Sequence, residues 1–217
     1  MMIELDIRPT SCIDERKTYV ADSPIDFETW LHLAQELDTE LIRGVIKEKM
    51  AAQYPHEWIF AWLFKVLGTF VAARNLGIVL GSRMAVKISG NDGRLPDMLF
   101  VRADNTSIIH KDAIYGVPDL VIEIVSENDR PSNLIPLETD YRTIGIPEIV
   151  FIDPCKQRVR YLRKNETDYD EAFLSVGKLA FVSVPGFWIE VEWLFADKKP
   201  NEFTIMKQLI EAAEAAE

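Results

Sequence analysis

The run Leu120-Val121-Ile122-Glu123-Ile124-Val125 constrains this chain more than any other stretch. Five of its six positions are β-branched or Leu, and Asp119, Ser126 and Asn128 punctuate its ends, which is the pattern of a short strand buried on both faces. Glu123 is the exception. An ionised carboxylate inside such a strand is costly unless it meets a cation, a metal or strong donors. Asp97 stands in a similar setting, after Leu95-Pro96 and before the apolar run Met98-Leu99-Phe100-Val101. Two acids on two central strands can share one hard cation such as Mg²⁺. The plainer alternatives are a buried ion pair between Glu123 and an arginine such as Arg83 or Arg142, and a Pro-Asp strand start at Asp97.

A chain of 217 residues suits one domain with a sizeable core. Forty-eight percent hydrophobic and 27% charged residues make a globular composition, neither disordered nor membrane-spanning. The longest apolar stretches, such as residues 58–67, are interrupted by Lys65 and fall short of a membrane span. Residues 1–19 carry Glu4, Asp6, Asp14 and Glu15 where the apolar core of a secretion signal would lie, so none is expected. Cys12 and Cys155 are the only cysteines, which fits a reducing cytoplasm and leaves no zinc cluster. The net charge of -11 argues against broad, non-specific attachment to nucleic acid while leaving room for a local basic groove.

Along the chain, residues 1–22 read as a leader in which Ile3, Leu5 and Ile7 alternate as in an edge strand. Ser23 or Asp26 caps a helix carrying Phe27, Trp30, Leu31, Leu33 and Ala34 and ending near Leu37. Residues 40–47 read as two short strands about an Arg43-Gly44 turn, and Tyr54-Pro55-His56 opens a long amphipathic helix reaching about Arg74. Paired strands are expected over 78–80 and 83–88, then a turn at 90–94, the Asp97 strand, a loop over 103–117 and the Glu123 strand. A helix follows Pro131 and reaches Gly145, with Pro136 limiting how early it begins. Residues 147–152, 158–162 and 180–184 complete the sheet, and Glu202 opens a tail helix. The order implies an α/β (α+β) fold, a central mixed β-sheet flanked by helices, with a leader over 1–22, one domain over 23–200 and a helical tail over 201–217.

A Pro96-Asp97 strand start, Pro118-Asp-Leu-Val-Ile-Glu-Ile-Val-Ser126, a helix containing Tyr141, Gly145-Ile-Pro-Glu148 and a strand ending Ile152-Asp153-Pro154 form an ordered set, joined by Glu40-Leu-Ile-Arg-Gly44 and His56. That set resembles the Uma-two family, whose members have the restriction-endonuclease-like fold of the PD-(D/E)XK superfamily. The resemblance implies an endonuclease that hydrolyses DNA with Mg²⁺ or Mn²⁺, Asp97 and Glu123 holding the metal. It also implies a homodimer, because cutting two strands takes two sites.

The superfamily's third catalytic part is a lysine, and here the chain departs from the pattern. Val125 stands two residues after Glu123, and the helix position where the resembled family places its lysine is Leu137, preceded by Asn133 in place of an acid. No basic residue lies between Arg130 and Arg142. Arg130, Arg142 or Lys87 would therefore have to substitute from elsewhere in space, although an arginine stabilises charge without accepting a proton. Arg130 is counted with Asp97 and Glu123 as a candidate catalytic residue; Glu40, His56 and Lys87 are possible additions. The plainer readings are a turn ion pair for Arg130, a strand end for Glu40 and a helix-start residue for His56. The alternative to an active enzyme is a catalytically degenerate nuclease-fold protein acting as a binding or homo-oligomeric module.

Overall fold

The computed structural model describes residues 8–10, 18–33, 38–49, 51–81, 83–127, 129 and 131–215. The chain divides into two compact units, each assembled from three separated segments. Strands and helices are numbered in chain order.

Unit 1 comprises residues 1–51, 83–95 and 109–116. Its strands are β1 (Arg8–Thr10), β2 (Thr18–Val20), β3 (Thr39–Ile42), β4 (Val45–Glu48), β6 (Ala85–Lys87), β7 (Gly93–Arg94) and β9 (Ala113–Ile114), in the sheet order β1-β2-β4-β3-β7-β6-β9. Helix α1 (Phe27–Leu33) packs Phe27 and Trp30 into a core with Ile25, Leu41, Ile46 and Ala85, and Asp26 caps it by accepting from the Thr29 N–H at 2.7 Å. Arg43 (φ 52°) and Gly44 (φ 73°) form the tight β3–β4 turn that the sequence implies. Position 93 must be glycine for room: a Cβ there would stand 2.5 Å from the Trp30 ring and 2.6 Å from Phe27.

Unit 2 comprises residues 52–82, 96–108 and 117–217. Its strands are β5 (Gly77–Gly81), β8 (Met98–Arg102), β10 (Leu120–Ile124), β11 (Glu148–Asp153), β12 (Arg158–Lys164) and β13 (Tyr169–Leu174), ordered β13-β12-β11-β10-β8-β5, plus a separate pair, β14 (Lys178–Ala180) and β15 (Trp188–Glu190). Among the described residues of this unit only β10 and β11 run parallel, and α3 (Pro131–Ile144) is their crossover. Helix α2 (Tyr54–Ala73) buries Ile59, Leu63, Val66, Leu67 and Phe70 at three- and four-residue spacings in one core with Leu120, Ile122 and Ile124 of β10. Among the described residues no helix is long and apolar enough to cross a membrane.

The structure corrects several linear expectations. Residues 8–10 and 18–20 pair as β1 and β2 and join β4, so part of the supposed leader is sheet, whereas Ile3, Leu5 and Ile7 lie outside the described residues. After the short helix α4 (Val191–Phe195), the supposed tail, α5 (Glu202–Glu214), buries Ile205, Met206, Leu209 and Ala213 in the unit 2 core. β5 and β6 do not pair with each other; β5 pairs with β8, and β6 with β7 and β9. Pro136 lies inside α3, which begins at Pro131, so the helix forgoes the hydrogen bond that residue 136 would have donated. The strand expected at 180–184 stops at Ala180. Beyond it, the backbone N–H groups of Val182 and Ser183 turn inward to Glu148 on β11, which also accepts from the Tyr161 hydroxyl. Burial and this hydrogen bond push the Tyr161 phenol well up from its ordinary range.

Glu148 is 1% exposed, and removing its carboxylate strands three donors. Glu148→Ala is expected to lower the free energy of unfolding by about 3 kcal/mol, read as a lower urea midpoint, and Glu148→Gln by less because it keeps an acceptor.

Candidate active site

Strands β8 and β10 pair antiparallel with Leu120 opposite Phe100, Val121 opposite Leu99 and Ile122 opposite Met98. Asp97 immediately precedes β8 and Glu123 follows Ile122 on β10, so each acid stands one residue beyond the last paired position, Ile122 with Met98. The Asp97 side chain extends the ladder in its own way: its Oδ2 accepts from the Ile124 N–H at 2.8 Å, standing in for a backbone acceptor where β8 has not yet begun. Both carboxylates are buried, Asp97 5% and Glu123 7% exposed.

Each is held by a side chain from a different helix. His56 is the third residue of α2, directly after Pro55, and its Nε2 lies 3.0 Å from Asp97 Oδ2 while Nδ1 lies 3.2 Å from Glu57 Oε1. Burial alone would lower the imidazole pKa, but the hydrogen bond and charge of Asp97, followed by Glu57, outweigh it and hold His56 above its ordinary 6.5. The fully buried Tyr141 of α3 donates its hydroxyl to Glu123 Oε1. Because α3 connects β10 to β11, the crossover itself delivers that hydroxyl to the strand carrying Glu123.

Buried acids near one another repel, and a shared proton or a cation relieves that repulsion. The donors are carboxylate oxygens, a set that fits a hard cation such as Mg²⁺, which commonly takes one or two carboxylates and completes its shell with water and substrate phosphate. Among the described residues no three His, Cys, Asp or Glu side chains are grouped to hold a metal, and the imidazole of His56 is turned to the acid. Beside His56, a cavity of about 120 Å³ is lined by Gln53, Pro55, Val125, Ser126, Pro154 and Cys155 among others.

The remaining candidates fall elsewhere. Arg130 lies outside the described residues. Arg142 is engaged by Glu138 at 2.8 Å and Asp168 at 2.9 Å and covers the Tyr169 ring. Burial is the main cause that pushes the Tyr169 phenol up to about 12. Glu40 belongs to unit 1, where it accepts from Arg94 at 3.1 Å and from the Leu95 N–H at 3.4 Å. Lys87, also of unit 1, bonds Glu28 at 2.5 Å and lies 5.3 Å from the ring centres of both Phe27 and Tyr115. Leu137 is half-buried one helical turn before Tyr141, on the same side of α3. Sequence reasoning marked Tyr141 as part of a motif but missed its bond to Glu123, which depends on the crossover rather than on local pattern.

Residues 25–192 match the Uma2 family, described as "Putative restriction endonuclease". The fold is similar to the crystal structure of a protein from Anabaena variabilis described as a putative nuclease belonging to DUF820, which is 19% identical. That similarity has a TM-score of 0.66 and covers 79% of this chain and 98% of the other. No curated protein matches the chain.

In the metal-free protein an NMR titration of His56 is expected to give a pKa above 6.5, and Asp97→Asn is expected to lower it, since burial remains when the charge is removed. Because the folded pKa is raised, the associated stability is full below about 6.5 and is lost as the pH rises through the folded value.

Proposed function

The chain belongs to the Uma2 family, and we propose that it is a metal-dependent nuclease that hydrolyses DNA phosphodiester bonds through Asp97 and Glu123. The observation that carries this reading is a pair of buried carboxylates at neighbouring positions where the β8–β10 ladder stops. Asp97 and Glu123 would hold Mg²⁺ or Mn²⁺, which when bound supplies Lewis-acid charge to the phosphoryl oxygens and lowers the pKa of a bound water. The chain's own residues set the stage for this. The Ile124 N–H and His56 fix the Asp97 carboxylate, and the Tyr141 hydroxyl fixes that of Glu123, so neither acid has to reorganise when substrate arrives. A homodimer would present two such sites to a duplex.

Leu137 favours a second reading. With an apolar side chain where the resembled family has its lysine, α3 supplies no cation at that turn to orient the water or spread charge. The protein would then bind metal and nucleic acid without cutting efficiently, as a degenerate nuclease.

Calorimetric titration of Mg²⁺ and Mn²⁺ into the parent, Asp97→Ala and Glu123→Ala proteins, followed by cleavage assays on plasmid and single-stranded DNA, separates the readings. Binding lost in both variants and Mn²⁺-dependent nicking by the parent are expected. Metal binding without nicking favours the degenerate reading; absent binding, with both variants less stable than the parent, makes the acids structural and ends the nuclease proposal. Leu137→Lys is expected to raise the nicking rate on the order of a hundredfold while leaving metal affinity nearly unchanged.

A further inference from the structure

The register of unit 2 sets four side chains in one row across the face that carries Glu123. Glu123 pairs with Phe151, Phe151 with Arg160, and Arg160 with Phe173. The rings agree with the row, since the Arg160 guanidinium lies 5.9 Å from the centres of both Phe151 and Phe173. Three strand spacings separate Glu123 from Phe173, on the order of 14 Å.

The two arginines of this region are used differently. Arg160 is committed, bonded by Glu138 of α3 and by Glu171 of β13. Arg158, two residues nearer the end of the sheet where Asp97 and Ile124 meet, makes no ion pair among the described residues, and its guanidinium sits 4.6 Å from the centre of the Phe173 ring. Phe173 is 53% exposed on the edge strand β13. A single exposed ring is ordinary on a protein surface. This one is backed by an uncommitted cation and shares a row with a candidate catalytic acid.

We propose that Phe173 and Arg158 form a subsite for an unpaired nucleotide belonging to the same strand whose phosphodiester lies at Asp97 and Glu123. The exposed ring takes a base by stacking, a sequence-tolerant contact that a paired base cannot make, and the guanidinium meets a backbone phosphate. The inference rests on the nuclease reading and narrows its substrate to single-stranded DNA or to duplex with an unpaired end at the site.

The test is fluorescence anisotropy of labelled single-stranded and duplex oligonucleotides of one sequence with the full chain in EDTA, where cutting is suppressed. Phe173→Ala and Arg158→Ala are each expected to weaken single-strand binding roughly tenfold, with Phe173→Trp retaining it and the duplex affinity of Phe173→Ala changing less than twofold. Thermal melts within about two degrees of the parent would show that the surface substitutions leave the fold intact. If the parent binds or cuts DNA and both alanine variants match it, the subsite is refuted while the nuclease reading stands. If the parent binds neither oligonucleotide, both fall. Unchanged DNA affinity together with altered self-association of Phe173→Ala, read by sedimentation velocity, would reassign the ring to a protein contact and overturn the proposal.

Discussion

Burying both Asp97 and Glu123 where the β8–β10 ladder stops is the most demanding thing unit 2 does, and much of its local architecture answers to it. Charge in a low-dielectric strand pair is tolerated only with strong donors or a counter-charge. The Ile124 N–H, the His56 imidazole and the Tyr141 hydroxyl are such donors, and they come from three elements, β10, α2 and α3. β8 begins only at Met98, so an acid rather than a backbone carbonyl meets the last N–H of β10. The first turn of α2 brings the imidazole, and the crossover α3 brings the phenol.

Glu148 makes an instructive contrast. It too is a buried acid on a central strand, and Tyr161 and two backbone N–H groups answer its oxygens, so that it ties residues 182–183 down. Donors alone therefore suffice for one buried acid in this unit. What distinguishes the site is the second buried acid nearby.

Much of this was legible in the linear chain, for identifiable reasons. Glu123 showed because it breaks an apolar run, Asp97 because Pro96 isolates it ahead of another, and α2 because its apolar residues keep helical spacing from Ile59 to Val71. The division into units was not legible, since each unit is stitched from three segments and no composition change marks the joins. β5 and β6 look like a hairpin by proximity yet pair with different strands, because pairing is decided by distant partners. β13 was missed because Asp170, Glu171 and the exposed Phe173 blur the alternation that would announce a strand. The bond from Tyr141 to Glu123 is likewise a product of topology: local pattern gives a tyrosine on a helix, and only the β10–α3–β11 crossover says where its hydroxyl ends.

Leu137 leaves the central claim resting on the carboxylate pair rather than on a complete catalytic set. The most direct test is anomalous scattering from crystals of the parent protein soaked in Mn²⁺. A peak within coordination distance of both Asp97 and Glu123 oxygens is the predicted result. A map with no peak there would contradict the account and mark the pair as structural.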